Sequence, residues 1–179
     1  MSDERAGMQR GRSEGEAPRV HVGAFGKHPA WNDHIDDQGL STTELTETKR
    51  LLYVEGMSGN IDAGTWEALG PTDRIDELQH QFLWRTRNGI VIGRFWSSRD
   101  GKGRAKYPLV VCAHVMGADA GWVCRHAAPV LEGLEATCKA ATTQEEFIRA
   151  IEVARGDLRR EAASATTTVS PERTTTRML

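Results

Sequence analysis

The stretch Phe82-Leu83-Trp84-Arg85-Thr86-Arg87-Asn88-Gly89-Ile90-Val91-Ile92-Gly93-Arg94-Phe95-Trp96 reads as a β-hairpin, and the rest of the chain follows from it. Asn and Gly tolerate the positive φ that a two-residue type I′ turn needs, and apolar residues flank them on both sides. A turn at Asn88-Gly89 sets Trp84 opposite Gly93, Phe82 opposite Phe95 and Thr86 opposite Val91. That register gathers the aromatic residues on one core face and lays Trp84 over the bare backbone of Gly93. Arg85, Arg87 and Arg94 share the other face with Leu83, Ile90, Ile92 and Trp96, which predicts a face only partly buried. A third strand, Tyr107 to Val115, follows a polar loop, so three consecutive antiparallel strands form a meander.

The intervening loop, Ser97-Ser98-Arg99-Asp100-Gly101-Lys102-Gly103-Arg104-Ala105-Lys106, sets four cations against one carboxylate. Its two glycines allow a tight turn and close approach to a partner.

Upstream, Val20, Val22 and Ala24 alternate with His21, Gly23 and Phe25 as in a strand. An irregular segment follows, Gly26-Lys27-His28-Pro29-Ala30-Trp31-Asn32-Asp33-His34, because Pro29 biases His28 away from the helical region. Ser41-Thr42-Thr43-Glu44 has capping-box spacing and predicts a helix with Leu45, the Lys49 stem, Leu52 and Tyr53 on its inner face, ending at Gly56. Thr65 to Leu69 and Asp73 to Gln79 read as short helical turns. Downstream, Ala127, Leu131, Leu134 and Cys138 repeat at helical spacing, as do Phe147, Ile151, Ala154 and Leu158. Thr143-Gln144-Glu145-Glu146 marks the start of the second of these helices.

The expected fold is therefore α/β in the α+β sense, a single domain over residues 19–162 with an antiparallel meander covered by helices. Residues 1–18 and the Thr-rich stretch 163–179 lack apolar periodicity and read as disordered arms. A length of 179 residues with 39% apolar content suits one core. The net charge of −2 argues against a general nucleic-acid binder. No run is long enough to span a membrane and no secretory leader is evident, so the expected location is cytoplasmic. Three cysteines without framework spacing fit a reducing compartment.

Four constellations bear on chemistry. Gly23-Ala24-Phe25-Gly26-Lys27 has too few residues between its glycines, and no Ser or Thr after the lysine, for a phosphate-binding loop. Cys112, His114, Cys124 and His126 offer zinc-type ligands without zinc-finger spacing. His28, Asp33 and His34 beside Trp31 suggest a metal or hydrolase centre, but no nucleophile motif accompanies them. The fourth joins the two polar loops through a Lys27–Asp100 or an Asp33–Arg104 pair, which either braces the loops or shapes a docking surface.

At these loops the chain resembles the TagF (ImpM) family of type VI secretion accessory proteins. The family shows Gly-x-x-Gly-Lys-Leu-Pro-x-x-Gly-Asp-Phe, and here Gly23-Ala24-Phe25-Gly26-Lys27-His28-Pro29-Ala30-Trp31-Asn32-Asp33-His34 stands in its place. The family's Ser-x-Asp-x-x-Gly-Arg-x-Phe/Tyr-Pro-Leu is matched by Ser98-Arg99-Asp100-Gly101-Lys102-Gly103-Arg104-Ala105-Lys106-Tyr107-Pro108-Leu109, with one extra residue before Tyr107. His28, Asn32 and His34 depart from the family's Leu, Gly and Phe, which marks a divergent branch. The resemblance covers roughly Val20 to Val115. It implies a non-catalytic post-translational regulator that works by protein contact, without enzymatic activity or cofactor. Its implied partner is a forkhead-associated scaffold of a secretion system. The residues implied in partner binding or loop organisation are Lys27, Pro29, Trp31, Asp33, Ser98, Asp100, Gly103, Arg104 and Tyr107, with Trp31 an aromatic anchor and Arg104 a charged one. The alternative class is a metal-binding protein or hydrolase built on His28 and His34 or on the Cys112 to His126 group.

Overall fold

A computed structural model describes residues 17–58, 78–105 and 107–167. The segments 1–16 and 168–179, and the helical turns expected at Thr65 to Leu69 and from Asp73, lie outside the described residues. Four strands, β1 (Arg19–Gly26), β2 (Gln79–Thr86), β3 (Gly89–Trp96) and β4 (Leu109–Met116), form one antiparallel sheet in the order β1-β4-β3-β2. The meander is present, and β1 adds to its far side by pairing with β4 from Arg19↔Met116 to Gly26↔Leu109. Gln79, expected in a helical turn, begins β2.

The hairpin register differs from the expectation by two residues. Thr86 pairs with Gly89, Trp84 with Val91 and Phe82 with Gly93, so the turn residues are Arg87 and Asn88. Asn88 does not adopt positive φ, whereas Gly89 does, at 141°. Contacts from outside the hairpin account for the shift. The Asn88 side-chain amide donates to Glu44 Oε1 at 2.7 Å and its carbonyl lies 3.2 Å from His114 Nε2. A Cβ at Gly89 would stand 2.2 Å from the Val115 carbonyl oxygen, so this glycine is needed where the hairpin crosses β4. A two-residue shift keeps every side chain on its face, and Phe82 rather than Trp84 covers Gly93.

The larger core lies on the face predicted to be only partly buried. Val20, Val22, Ile90, Ile92, Trp96, Leu109, Val111 and Val115 there meet two long helices. The chain reaches them through a single turn, α2 (Ala120–Trp122), capped by Asp119, and a wider π-type turn at Val123–Ala127. Helices α3 (Ala128–Ala140) and α4 (Gln144–Thr167) then bury the predicted stripes: Leu131, Leu134 and Cys138, with Ala127 just before them, and Phe147, Ile151, Ala154 and Leu158. The α4 start is the expected capping box, with Thr143 Oγ1 accepting from Glu146 N–H and Glu146 Oε2 accepting from Thr143 N–H, each at 3.2 Å. α4 continues past the predicted boundary at Ala162 to Thr167.

The aromatic face carries the smaller core, Phe25, Leu45, Tyr53, Val91, Val110 and Cys112, with Phe82, Trp84 and Phe95 half-buried against it. It is covered by α1 (Thr43–Thr48) and the π-type turns Lys49–Ser58 that continue past Gly56. The α1 cap is Thr42, one residue later than expected, its hydroxyl accepting from Leu45 N–H at 3.3 Å. Lys49 turns outward to Asp37 at 2.6 Å rather than lining the core.

Candidate functional site

Two adjacent strand ends place the site. β1 ends at Gly26 where β4 begins at Leu109, so the segment leaving β1 and the β3–β4 loop meet at one end of the sheet. Both pairs considered from the sequence are present: Lys27 Nζ lies 2.9 Å from Asp100 Oδ2, and Arg104 Nη2 lies 3.4 Å from Asp33 Oδ1. Asp100 is the hub. Its Oδ2 accepts from Lys27 Nζ and, at 2.7 Å, from Arg104 Nε; its Oδ1 accepts from the Lys102 and Arg104 amides, both at 3.0 Å. Burial alone would raise its pKa, but these hydrogen bonds, that of Lys27 foremost, outweigh it and hold the carboxyl well below the usual carboxylate range.

The loops are tied by backbone as well. Gly101 N–H donates to Trp31 O at 2.6 Å and Arg104 Nη2 to Asn32 O at 2.8 Å. A Cβ at Gly101 would meet Pro29 O at 2.9 Å and Trp31 O at 3.2 Å, which explains this glycine by close approach. Gly103 instead supplies φ +80° to open space and lets the loop curl back on Asp100. Lys27 is buried, its ammonium 5.2 Å from the Tyr107 ring centroid. The Tyr107 ring in turn contacts His34 and Tyr53.

The two layers of the site differ in access. Lys27, His28 and Asp100 are interior, whereas Pro29, Asn32, Asp33, Arg99, Lys102, Gly103 and Arg104 face outward. Trp31 is corrected from a surface anchor to a core residue: it is 7% exposed and packs edge-on against Phe147 and His28. Ser98 is half-buried, and its neighbour Ser97 makes the bond that sequence reading missed, its hydroxyl accepting from Leu78 N–H at 2.7 Å.

The other constellations do not assemble. His28 turns towards α3 and α4, its Nε2 2.9 Å from Cys138 O and its ring against Phe147, and burial lowers its pKa. His34 lies at the surface with Asp33 Oδ1 3.0 Å away. Cys112 and His114 share the α1 face, where His114 meets Thr42 and the Asn88 carbonyl, while His126 pairs with Glu161 of α4. Among the described residues no group of three His, Cys, Asp or Glu is placed to hold a metal. Gly23 to Gly26 are strand, and Lys27 is spent on Asp100.

Burial pushes the Cys112 and Cys138 thiols up to about 12, while Cys124 is exposed. Native protein is expected to titrate one fast thiol with a disulfide reagent and three in guanidinium. Fast reaction of all three without denaturant would contradict the packing.

No protein-family model matches the chain, and a search of curated proteins finds no match. Among solved structures, the chain is similar to PA0076 from Pseudomonas aeruginosa PAO1, at 21% identity over 73% of this chain with a TM-score of 0.49. The match spans 61% of that protein's length. Among the described residues no helix is long and apolar enough to cross a membrane.

Proposed function

We propose that this chain is a non-catalytic regulatory or adaptor domain acting by protein–protein contact, like the TagF accessory proteins of type VI secretion that its two loop motifs resemble. The observation that carries the reading is the division of the site into layers. The Asp100 carboxylate is buried and takes four donors from Lys27, Lys102 and Arg104, so it acts as a brace. The brace holds the Arg104 guanidinium against Asp100, the Asn32 carbonyl and Asp33, and the exposed Arg99 and Lys102 flank it on the same loop. A cationic lip suits an acidic protein surface, and the Arg104 side chain, already held, has little entropy left to lose on docking. The proposed partner is a forkhead-associated scaffold of a secretion system.

The test changes two exposed side chains and leaves the donors to Asp100 in place, since Lys102 gives the carboxylate only its backbone amide, which a serine keeps. Purified chain is expected to bind the immobilised scaffold encoded beside a type VI cluster in the same genome. Arg99→Glu combined with Lys102→Ser should weaken that binding by roughly tenfold or more with an unchanged melting temperature. Absence of binding by the parent chain, or equal binding by the folded variant, would sink the proposal.

A further inference from the structure

A second polar concavity lies at the outer edge of β1, on elements that the loop site does not use. Ala24 exchanges both backbone hydrogen bonds with Gln38, so its groups point away from β4, and strand alternation turns those of Val20 and Val22 the same way. Val22 O accordingly accepts from Arg155 Nη2 of α4 at 3.2 Å. Between this edge, the Gly39 to Ser41 turn and α4 sits a cavity of about 250 Å³ whose polar side chains are His21, Ser41, Arg155 and Arg159. Gly39 keeps it open: with φ +62°, a Cβ there would stand 2.2 Å from Val22 O and 2.5 Å from Arg155 Nη2.

The charge around this cavity is one-sided. No carboxylate lines it. Glu152 pairs with Arg155 at 2.5 Å and offsets part of its charge, but Arg159 makes no ion pair among the described residues. His21 has its Nδ1 3.0 Å from Ser41 Oγ, leaving Nε2 for a ligand. The groups that act on His21 are His114 from β4, Arg159 and Arg155 from α4 and Arg19 from its own strand; after burial itself, all lower its pKa and no anion offsets them. Convergent cations in a concavity without an acidic lining concentrate an anion there.

We propose that this cavity binds a phosphate group, with the Arg159 and Arg155 guanidinium groups, the Ser41 hydroxyl and the His21 ring as donors. Two guanidinium groups match a tetrahedral dianion better than a single carboxylate: Arg159 presents its planar fork of N–H groups, and Arg155, held in place by Val22 O and Glu152, adds its remaining N–H groups and its charge. The volume also fits, because water occupies about 30 Å³ per molecule and the site would hold the anion with a few waters. The group could come as inorganic phosphate or as a phosphorylated side chain, and the experiment separates the two.

Amide and imidazole NMR spectra of the full chain are titrated with inorganic phosphate and, separately, with a phosphoserine peptide. Saturable shifts at His21, Gly39 and Ser41 are expected, together with a His21 ring that protonates more readily in the complex. Tighter binding of the peptide assigns the phosphorylated side chain, and tighter or equal binding of inorganic phosphate assigns the free anion. Arg159→Glu should weaken binding by roughly tenfold or more. Arg160→Glu, one residue on and paired with Asp157, should change it by less than about twofold. If Arg159→Glu does not fold, Arg159→Gln gives the same comparison with a smaller loss. Absence of saturable shifts with both probes, or equal losses at positions 159 and 160, overturns the proposal. Neither result depends on the docking function of the loop site.

Discussion

Asp100→Ala is expected to unfold on the order of 10 °C below the parent chain, whereas Lys27→Met loses only a small part of that. The two substitutions break the same 2.9 Å ion pair, yet they leave different things behind. Without Asp100, the Lys27 ammonium stays buried beside the Tyr107 ring with no carboxylate bonded to it among the described residues, and an uncompensated buried charge on Lys27 costs about 3–5 kcal/mol. Without Lys27, the carboxylate keeps Arg104 Nε at 2.7 Å and two backbone N–H donors at 3.0 Å. Methionine also fills the volume of the lysine stem without a charge to desolvate. Thermal melts of both variants decide the matter. Equal losses, or a larger loss for Lys27→Met, would show that Asp100 is not the hub of the brace.

The same geometry fixes a pH dependence. The folded carboxyl of Asp100 titrates below its unfolded counterpart, so its contribution is fully present above about pH 4 and is lost as pH falls towards the depressed value. The gap in melting temperature between the parent and Asp100→Asn should therefore be constant at neutral pH and narrow on acidification below about pH 4. Subtracting the variant is essential, because Asp33, Glu44, Glu135 and Glu146 are also held below their ordinary range.

Local rules and long-range partners divided what the sequence made legible. The α3 and α4 stripes, the Thr143–Glu146 capping box and the meeting of the two loops rest on spacing within a few residues or on strand adjacency, and the structure has them. The hairpin register does not rest on its own turn alone, because Glu44 and His114 take hold of Asn88 from elsewhere in the chain. Periodicity also says which residues share a face but not which layer covers it, and so it does not reveal that α3 and α4 bury the Ile90, Ile92 and Trp96 face. Arg94 on that face is neutralised by Glu135 of α3, a partner with no local signature. Trp31 stands in an irregular segment with no periodicity, so nothing local signals that Phe147, far along the chain, buries it. The cavity beside β1 was similarly invisible, since His21, Ser41, Arg155 and Arg159 converge only once α4 crosses the sheet edge.

Gly26→Ala is expected to be the most damaging single-methyl change at the loop site. Gly26 sits at φ +119°, and a Cβ there would stand 2.2 Å from Pro108 O and 3.0 Å from Leu109 Cα. Both obstacles are backbone, so no rotamer change relieves them, and the strand pair Gly26↔Leu109 must separate. Separation also pulls on the Gly26 carbonyl, which accepts from Ile35 N–H at 2.8 Å, and on Lys27, whose amide donates to Pro108 O at 3.3 Å. Strain at positive φ and a backbone clash together predict a loss of at least about 3 kcal/mol in denaturant unfolding. Gly103→Ala is the matched control: it also lies at positive φ, +80°, but a Cβ there meets nothing within 4 Å. Conformational strain alone sets its cost at about 1–2 kcal/mol. Equal losses for the two would mean that φ, rather than the close approach of β1 to the start of β4, is what requires glycine at the base of the loops.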